Sequence, residues 1–168
     1  MRMPVPTKQE LEFIRTHLSY GPLTGIVRWR NPPGRRIKDG DEAGSVNGKG
    51  YKQIGVQGKS IQLHRLVWFL WCGKWPVGVM DHINGNRLDN NICNLRVVSS
   101  SVNSRNQIRS KYNTSGFRGV SYKGWQARVS VKNKTISLGC FPTAEEASAA
   151  VEAFYKKLDG SDYLPPRR

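Results

Sequence analysis

Apolar residues recur at two different periods along the first part of the chain. Thr7 and Glu10 have the spacing of a capping box, and apolar positions at helical period follow, so we predict a helix from about Lys8 to Leu18. Short apolar runs bounded by glycine come next, which is typical of strands. These predicted strands cover residues 25–30, 51–56 and 59–63. The last two are separated by Gln57-Gly58, which predicts a hairpin.

Residues 64–71 are apolar on nearly all sides and end just before Gly73, so we predict a short buried helix. His64 at its start has two interpretations, a packed structural histidine or a ligand. The structural interpretation is favoured because half-buried histidines usually pack in this way.

A polar stretch then separates two apolar segments, which predicts two short strands flanking a loop over residues 79–96. The loop is rich in asparagine, and asparagine is a turn former, so an isolated loop of this kind is ordinarily no more than a surface turn. Ser99 to Ser101 supply N-cap candidates for a helix over Val102 to Arg109.

The last third of the chain has the clearest pattern. Residues 125–132 alternate strictly between apolar and polar, which predicts a half-buried strand. Phe117 to Tyr122 precede it as a first strand, and Ile136 and Leu138 carry the apolar face into a third. A helix with an apolar stripe from Ala144 to Leu158 follows. The fold class is therefore predicted as α+β, with a small three-stranded antiparallel sheet packed on one helix at the end of the chain.

Charge narrows the choice of partner. The 168 residues include 27 Lys and Arg against 12 Asp and Glu, a formal charge of +15, and the excess runs through every part of the chain. No long amphipathic basic helix is visible, and the longest apolar run is too short to span a bilayer. A nucleic acid is the partner that this composition favours.

The three cysteines are isolated, odd in number and without CxxC spacing. No signal peptide opens the sequence. We therefore expect reduced thiols and a cytoplasmic location.

His82 is the side chain near the polar loop that titrates close to neutral pH, so it is the natural general base, and Asp81 offers a carboxylate beside it. Successive strand residues point to opposite faces, so the two serve one site only where the strand ends or twists. A base of this kind must be neutral, and we expect activity to fall below a pH of about 6.5.

These residues resemble the HNH endonuclease family, in particular its phage-encoded homing endonucleases. The segments that carry the resemblance are Leu63 to Trp68, Asp81 to Asn86, Asn90-Asn91, Asn94-Leu95-Arg96, Asn103 and Asn106. The resemblance implies a ββα-metal module in which His82 is the general base and Asn94 holds its imidazole. It implies Asp81 and Asn103 as metal ligands, with Gln107 as an alternative.

A carboxylate plus an amide oxygen is a hard donor set, which favours Mg²⁺, with Mn²⁺ as a substitute.

Residues 112–141 contain five cations and no acid. Segments 116–120, 125–128 and 138–147 resemble the Apetala/ethylene-response-factor (ERF) DNA-binding domain. That family reads DNA with its sheet, which implies Arg118 and Arg128 as leading contacts, followed by Lys123 and Lys132.

The predicted organisation is an HNH nuclease domain over 1–110 with its core motif at 63–109, a linker over 111–114, an Apetala/ERF-like domain over 115–162 and a tail over 163–168. The predicted function is a site-specific DNA endonuclease, acting as a monomer and nicking one strand per active site. Two alternatives stay open: a DNA-binding regulator that does not cut, and an RNA-associated structural protein.

Overall fold

The structure of the chain is α+β, as the sequence predicts. A computed structural model describes residues 5–105, 113–122 and 124–160. The chain forms two compact units, residues 1–98 and 99–168. None of the helices in these described ranges has the length and apolar content that a membrane crossing requires.

Apart from a 3-10 turn at Ile92–Asn94, the first unit contains two α-helices and seven short strands among its described residues. In chain order these are α1 Lys8–His17, β1 Leu18–Gly21, β2 Ile26–Trp29, β3 Ser45–Val46, β4 Lys52–Val56, β5 Lys59–Gln62, α2 Leu63–Cys72, β6 Val79–His82 and β7 Leu95–Val98. The strands form three antiparallel sheets, β1-β2, β3-β4-β5 and β6-β7.

Local signals decide where several of these elements begin and end. The Thr7 hydroxyl accepts from the Glu10 N–H at 3.2 Å while the Glu10 carboxylate accepts from the Thr7 N–H at 2.7 Å, so the predicted capping box is confirmed. Gln57 and Gly58 adopt positive φ of 47° and 80°, which confirms the predicted hairpin turn. Gly73 ends α2 in the left-handed conformation.

One predicted boundary in this unit is wrong. The predicted helix extends to Leu18, but this residue is extended and opens β1, paired with Trp29 of β2. The reason is tertiary: Leu18 is 1% exposed and packs into a core with Ile14 and Val27, so burial overrides helical propensity at that position. Neither β1 nor the two-residue β3 was predicted.

The second unit is a three-stranded sheet packed against one helix, preceded by a short helix. Its elements are α3 Ser100–Arg105, β8 Val120–Ser121, β9 Gln126–Val131, β10 Lys134–Cys140 and α4 Ala144–Asp159. The antiparallel strand order is β10-β9-β8. Ala127 and Val129 of β9 and Ala147 and Val151 of α4 form the buried core, as predicted.

Gly119 explains how β8 sits so close to β9 and α4. Its φ is +73°, and a Cβ there would lie 2.5 Å from the Arg128 carbonyl oxygen and 3.3 Å from the Val151 side chain. Any side chain would force the strand away from its partners. The left-handed backbone at Gly119 is not extended, and the regular strand covers only Val120–Ser121, so the predicted strand over 117–122 is too long.

Two residues of the predicted apolar faces are more exposed than expected. Ile136 is 40% exposed because β10 is an edge strand, and Leu158 is 47% exposed in the last turn of α4. Of the predicted helix over 102–109, the part up to Arg105 forms α3, and the remainder lies outside the described residues. The predicted linker at 111–114 begins outside them too, and the predicted domain limits stay predictions.

Candidate active site

The β6-β7 hairpin carries the candidate catalytic residues. Asp81 is paired with Arg96 across the two strands, and His82, the last residue of β6, is paired with Leu95. The Ile83 N–H then donates to the Asn94 carbonyl at 2.8 Å and closes the base of the loop. His82 is thus the last paired residue of the strand, and the pairing still covers both Asp81 and His82.

Most of the asparagines in the loop form turns. The side-chain oxygen of Asn84 accepts from the Asn86 N–H at 2.8 Å, that of Asn86 from the Leu88 N–H at 3.1 Å, and that of Asn91 from the Cys93 N–H at 3.0 Å. Each is a local bond from a side chain to the backbone two residues on, the arrangement that makes asparagine a turn former. For these three residues the simple turn interpretation is sufficient.

Asn94 ties the two ends of the loop together. Its Oδ1 accepts from the Asn84 N–H at 2.9 Å, and its Nδ2 donates to the Asp89 carbonyl at 2.8 Å. The side chain is buried, so both bonds replace water that it has lost. Asn94 therefore fixes the loop next to His82. Its role as the residue that holds the imidazole stays a prediction.

Asn90 contacts the His82 ring. The Asn90 Nδ2 donates to the Leu88 carbonyl at 3.2 Å, which sets the orientation of the amide, and its Oδ1 lies 3.3 Å from Nε2 of His82. An amide oxygen only accepts, so this bond requires the proton on Nε2. In the neutral ring the lone pair then lies on Nδ1.

His82 is 3% exposed and lies in a cluster of three rings with Tyr51 and His64. The centroids of the His64 and His82 rings are 5.2 Å apart with an interplanar angle of 80°, and Tyr51 lies 5.5 Å from His64 and 6.0 Å from His82. Burial, with smaller contributions from His82 and Arg65, lowers the pKa of His64 to about 3. His64 is thus a neutral, packed ring near neutral pH, and it contacts the candidate base.

The first hairpin of the chain supports this loop from outside. The Tyr20 hydroxyl accepts from the Ile92 N–H at 2.8 Å and lies 3.4 Å from the Asn90 carbonyl. Burial raises the pKa of Tyr20. Gly25, at φ +70°, approaches so closely that a Cβ would lie 2.9 Å from the Asn91 backbone nitrogen.

Asp81 has a different neighbourhood from His82, as strand alternation requires. It is 8% exposed, and its Oδ2 accepts from both Nε and Nη2 of Arg96, at 3.0 and 2.5 Å. A buried carboxylate is a hard oxygen donor of the kind that Mg²⁺ prefers, so this residue fits a magnesium site. Among the residues that the structure describes, no three His, Cys, Asp or Glu side chains converge in the manner of a zinc site.

The remaining predicted site residues belong to the second unit. Asn103 is half-buried on α3, and its N–H donates to the Ser99 carbonyl at 3.0 Å. Its role as a metal ligand stays a prediction, and Gln107 lies outside the described residues.

Three of the predicted DNA contacts are described. Arg128 on β9 is exposed and donates to the Gln126 side chain at 2.7 Å, and Lys132 is exposed in the β9-β10 turn. Arg118 lies before β8, is half-buried and donates to the Ser104 carbonyl at 3.2 Å. Lys123 lies outside the described residues.

The sequence assigned no role to Tyr51 or Arg96, and for His64 it favoured a structural role over that of a ligand. Arg96 lies within the Asn94-Leu95-Arg96 segment, so its presence was a signal, but only strand register shows that it faces Asp81. Tyr51 had no signal, because it lies far from His82 in the sequence and is brought there by folding.

Comparison with known proteins identifies the family of the segment that contains this hairpin. Residues 62–105 match the HNH endonuclease family. An uncharacterized HNH endonuclease of Acanthamoeba polyphaga mimivirus is 33% identical over 107 residues, 62% of this chain and 57% of that protein. Protein 3.8 of Escherichia phage T7 is 36% identical over 91 residues, 51% of this chain and 73% of that protein.

A third relative has a solved structure. The DNA endonuclease I-HmuI of Bacillus phage SP01 is 41% identical over 64 residues, 35% of this chain and 37% of that protein. A structure titled "DNA binding and cleavage by the HNH homing endonuclease I-HmuI" aligns at 25% identity over 78% of this chain and 75% of that chain, with a TM-score of 0.41.

The chain belongs to the HNH endonuclease family, and residues 62–105 are its HNH segment. It spans a little over half, 57%, of the length of the mimivirus relative.

Proposed function

We propose that this protein is a site-specific, metal-dependent DNA endonuclease of the homing type that hydrolyses a phosphodiester bond with His82 as general base. The observation that carries the proposal is the state of His82. It is the last residue of β6 within the HNH segment, it follows Asp81 in the sequence, and its Nε2 lies 3.3 Å from the Asn90 Oδ1, an acceptor that favours the proton on Nε2. A buried ring with a defined lone pair is what a general base requires.

In this mechanism Nδ1 of His82 takes a proton from a water molecule aligned with the scissile phosphorus. Asn90 keeps Nε2 protonated and stabilises the imidazolium that forms, because its amide oxygen accepts from Nε2 in both states. Asn94 acts on the ring through the loop that it closes. The products carry 5′-phosphate and 3′-hydroxyl ends, and one active site cuts one strand per binding event.

Asp81 and Asn103 are the residues that we propose to hold the metal, with Mg²⁺ preferred and Mn²⁺ accepted. Bound there, a divalent cation supplies stabilisation of negative charge on the phosphate and on the departing 3′ oxygen.

We propose that the second unit binds duplex DNA with its sheet, in the manner of the Apetala/ERF domain that it resembles. Arg128 and Lys132 are exposed, and the acidic residues Glu145, Glu146 and Glu152 lie on α4 instead. Segregated positive charge of this kind draws phosphates to one surface. Tethering two weak DNA binders in one chain raises the effective concentration of each.

One observation favours the alternative of a DNA-binding regulator that does not cut. His82 and Asp81 are both buried, and Asp81 is already in an ion pair with Arg96, which is the condition of a purely structural hairpin. The two functions differ in whether the protein cleaves DNA when a divalent metal is added.

Supercoiled plasmid separates them. Wild-type protein with Mg²⁺ is expected to convert plasmid to the relaxed form, whereas protein with excess chelator, or His82→Ala with Mg²⁺, is not. Gel shift of the same DNA checks that all samples bind. Binding without metal-dependent relaxation would establish the regulator instead.

A further inference from the structure

The ion pair of Asp81 with Arg96 is the feature of the site that the general-base mechanism does not use. Both side chains are largely buried, with 9% of the Asp81 side chain and 16% of the Arg96 side chain exposed. Both donors of Arg96 converge on one oxygen, Oδ2. The pair is also in direct cross-strand register, so the sheet itself holds the two groups together.

A buried ion pair of this geometry is a poor choice for stability alone. The desolvation of two charges offsets much of their attraction, and apolar residues often fill such a position equally well. The pair also brings a permanent positive charge to the very carboxylate that would bind a divalent cation.

We infer that Arg96 is a positioning residue that acts as the resident counter-ion of Asp81 and lowers the affinity of that carboxylate for divalent metal in the DNA-free protein. The inference rests on the proposed function, in which Asp81 is a metal ligand. Two cations at one carboxylate repel each other, and a DNA phosphate next to the site supplies the negative charge that offsets this repulsion. Arg96 thereby makes metal binding depend on DNA.

The test is metal binding by the free protein, with no cleavage step. Mn²⁺ is titrated into wild type, Arg96→Met and Arg96→Lys while free Mn²⁺ is followed by electron paramagnetic resonance. We expect Arg96→Met to lower the Mn²⁺ dissociation constant by about tenfold or more, because the repulsion is removed. Arg96→Lys should bind Mn²⁺ as weakly as wild type, since it keeps the charge but loses the two-donor fork.

Thermal unfolding gives an independent measure. Without metal, Arg96→Met should melt roughly 5 to 15 °C below wild type, because a buried carboxylate has lost its cation. Saturating Mg²⁺ should then raise its melting temperature more than it raises that of wild type. The control Lys8→Met removes one positive charge from an exposed position on α1 and should leave both measurements unchanged.

Each outcome decides the inference. Weaker or unchanged Mn²⁺ binding by Arg96→Met overturns it, as does Arg96→Lys behaving like Arg96→Met, since geometry and not charge would then matter. If wild type nonetheless relaxes plasmid with Mg²⁺, the proposed function survives and only the role of Arg96 is lost. If no protein binds Mn²⁺ and wild type does not relax plasmid, both fail together.

Should Arg96→Met not fold, Arg96→Gln keeps a polar side chain without the charge and makes the same comparison.

Discussion

The two units of this chain use polar residues in opposite ways. In the first, the polar side chains of the hairpin are buried and bonded: Asp81 to Arg96, His82 to Asn90, and Asn94 to two backbone groups. In the second, the polar residues of the sheet lie at the surface, as Arg128 and Lys132 show.

The contrast matches the two kinds of task that we propose for the units. A general base needs one tautomer and one orientation, which only a surrounded ring has. A surface that binds phosphates needs accessible charge and tolerates motion, because Coulomb attraction to a polyanion depends little on exact geometry. We therefore expect substitutions in the first unit to change catalysis and stability, and substitutions on the sheet to change binding and its salt dependence.

The largest expected effect separates the two units directly. His82→Ala should lower kcat by about 10² to 10⁴-fold with DNA affinity unchanged, the usual contribution of a general base. The double variant of Arg128→Ala and Lys132→Ala should keep kcat at saturating DNA, bind more weakly, and lower the slope of log K against log salt by about two. Single-turnover cleavage and binding titrations at several salt concentrations measure these quantities. A double variant with wild-type salt dependence would remove the sheet from DNA binding.

Within the first unit, Asn94 and Asn90 should differ. Asn94→Ala leaves the Asn84 N–H and the Asp89 carbonyl without their partner, which should lower the free energy of unfolding by about 2 to 4 kcal/mol. Asn90→Ala should lower the free energy of unfolding by less than Asn94→Ala does. It should lower kcat by more, because it removes the contact that orients the His82 ring. Urea unfolding and single-turnover rates give the two quantities. The reverse order would mean that Asn94 holds the imidazole directly.

His64 should give the first unit a pH-dependent stability. The pKa of His64 is lowered to about 3 in the folded protein, whereas an unfolded histidine titrates near 6.5. Between these values the unfolded chain binds a proton that the folded chain does not. The contribution of neutral His64 to the free energy of unfolding is therefore complete above a pH of about 6.5. It is lost on acidification, by up to about 1.4 kcal/mol per pH unit.

His64→Phe keeps a packed ring at this position but has no group that binds a proton in the unfolded chain. Urea unfolding of both proteins at pH 7, 6 and 5 should show a shallower loss of stability for the variant. Parallel curves would show that His64 is not buried in a neutral state.

The smallest expected effect compares one tyrosine from each unit. Tyr20→Phe leaves the Ile92 N–H without its acceptor and should cost about 1 kcal/mol. The matched change Tyr155→Phe removes an acceptor at 3.2 Å from the exposed Ser130 N–H, which water replaces, and should cost less. Chemical denaturation of the two variants measures the difference. Equal losses would contradict the division into a buried and an exposed polar set.

Much of the fold was predictable where a short segment contains its own signal. The capping box at Thr7, the hairpin turn at Gln57-Gly58 and the alternation over β9 are each complete within a few residues, and each is present. Burial of Leu18 and the close approach of Gly119 depend on distant partners, and those boundaries were wrong. The same division holds for the candidate site, where the sequence predicts Asp81 and His82, whose roles stay predictions, but not the groups that surround them.

The sequence by itself determined the family, the charge that favours a nucleic-acid partner and the two residues, Asp81 and His82, on which the proposed chemistry depends, because these are properties of composition and of one short segment. Only the tertiary structure decided which groups surround those residues. Strand register brought Arg96 to Asp81, and core packing brought Tyr51 and His64 to His82. Contacts between residues far apart in the chain arise from the burial of a common core, and no local pattern specifies them.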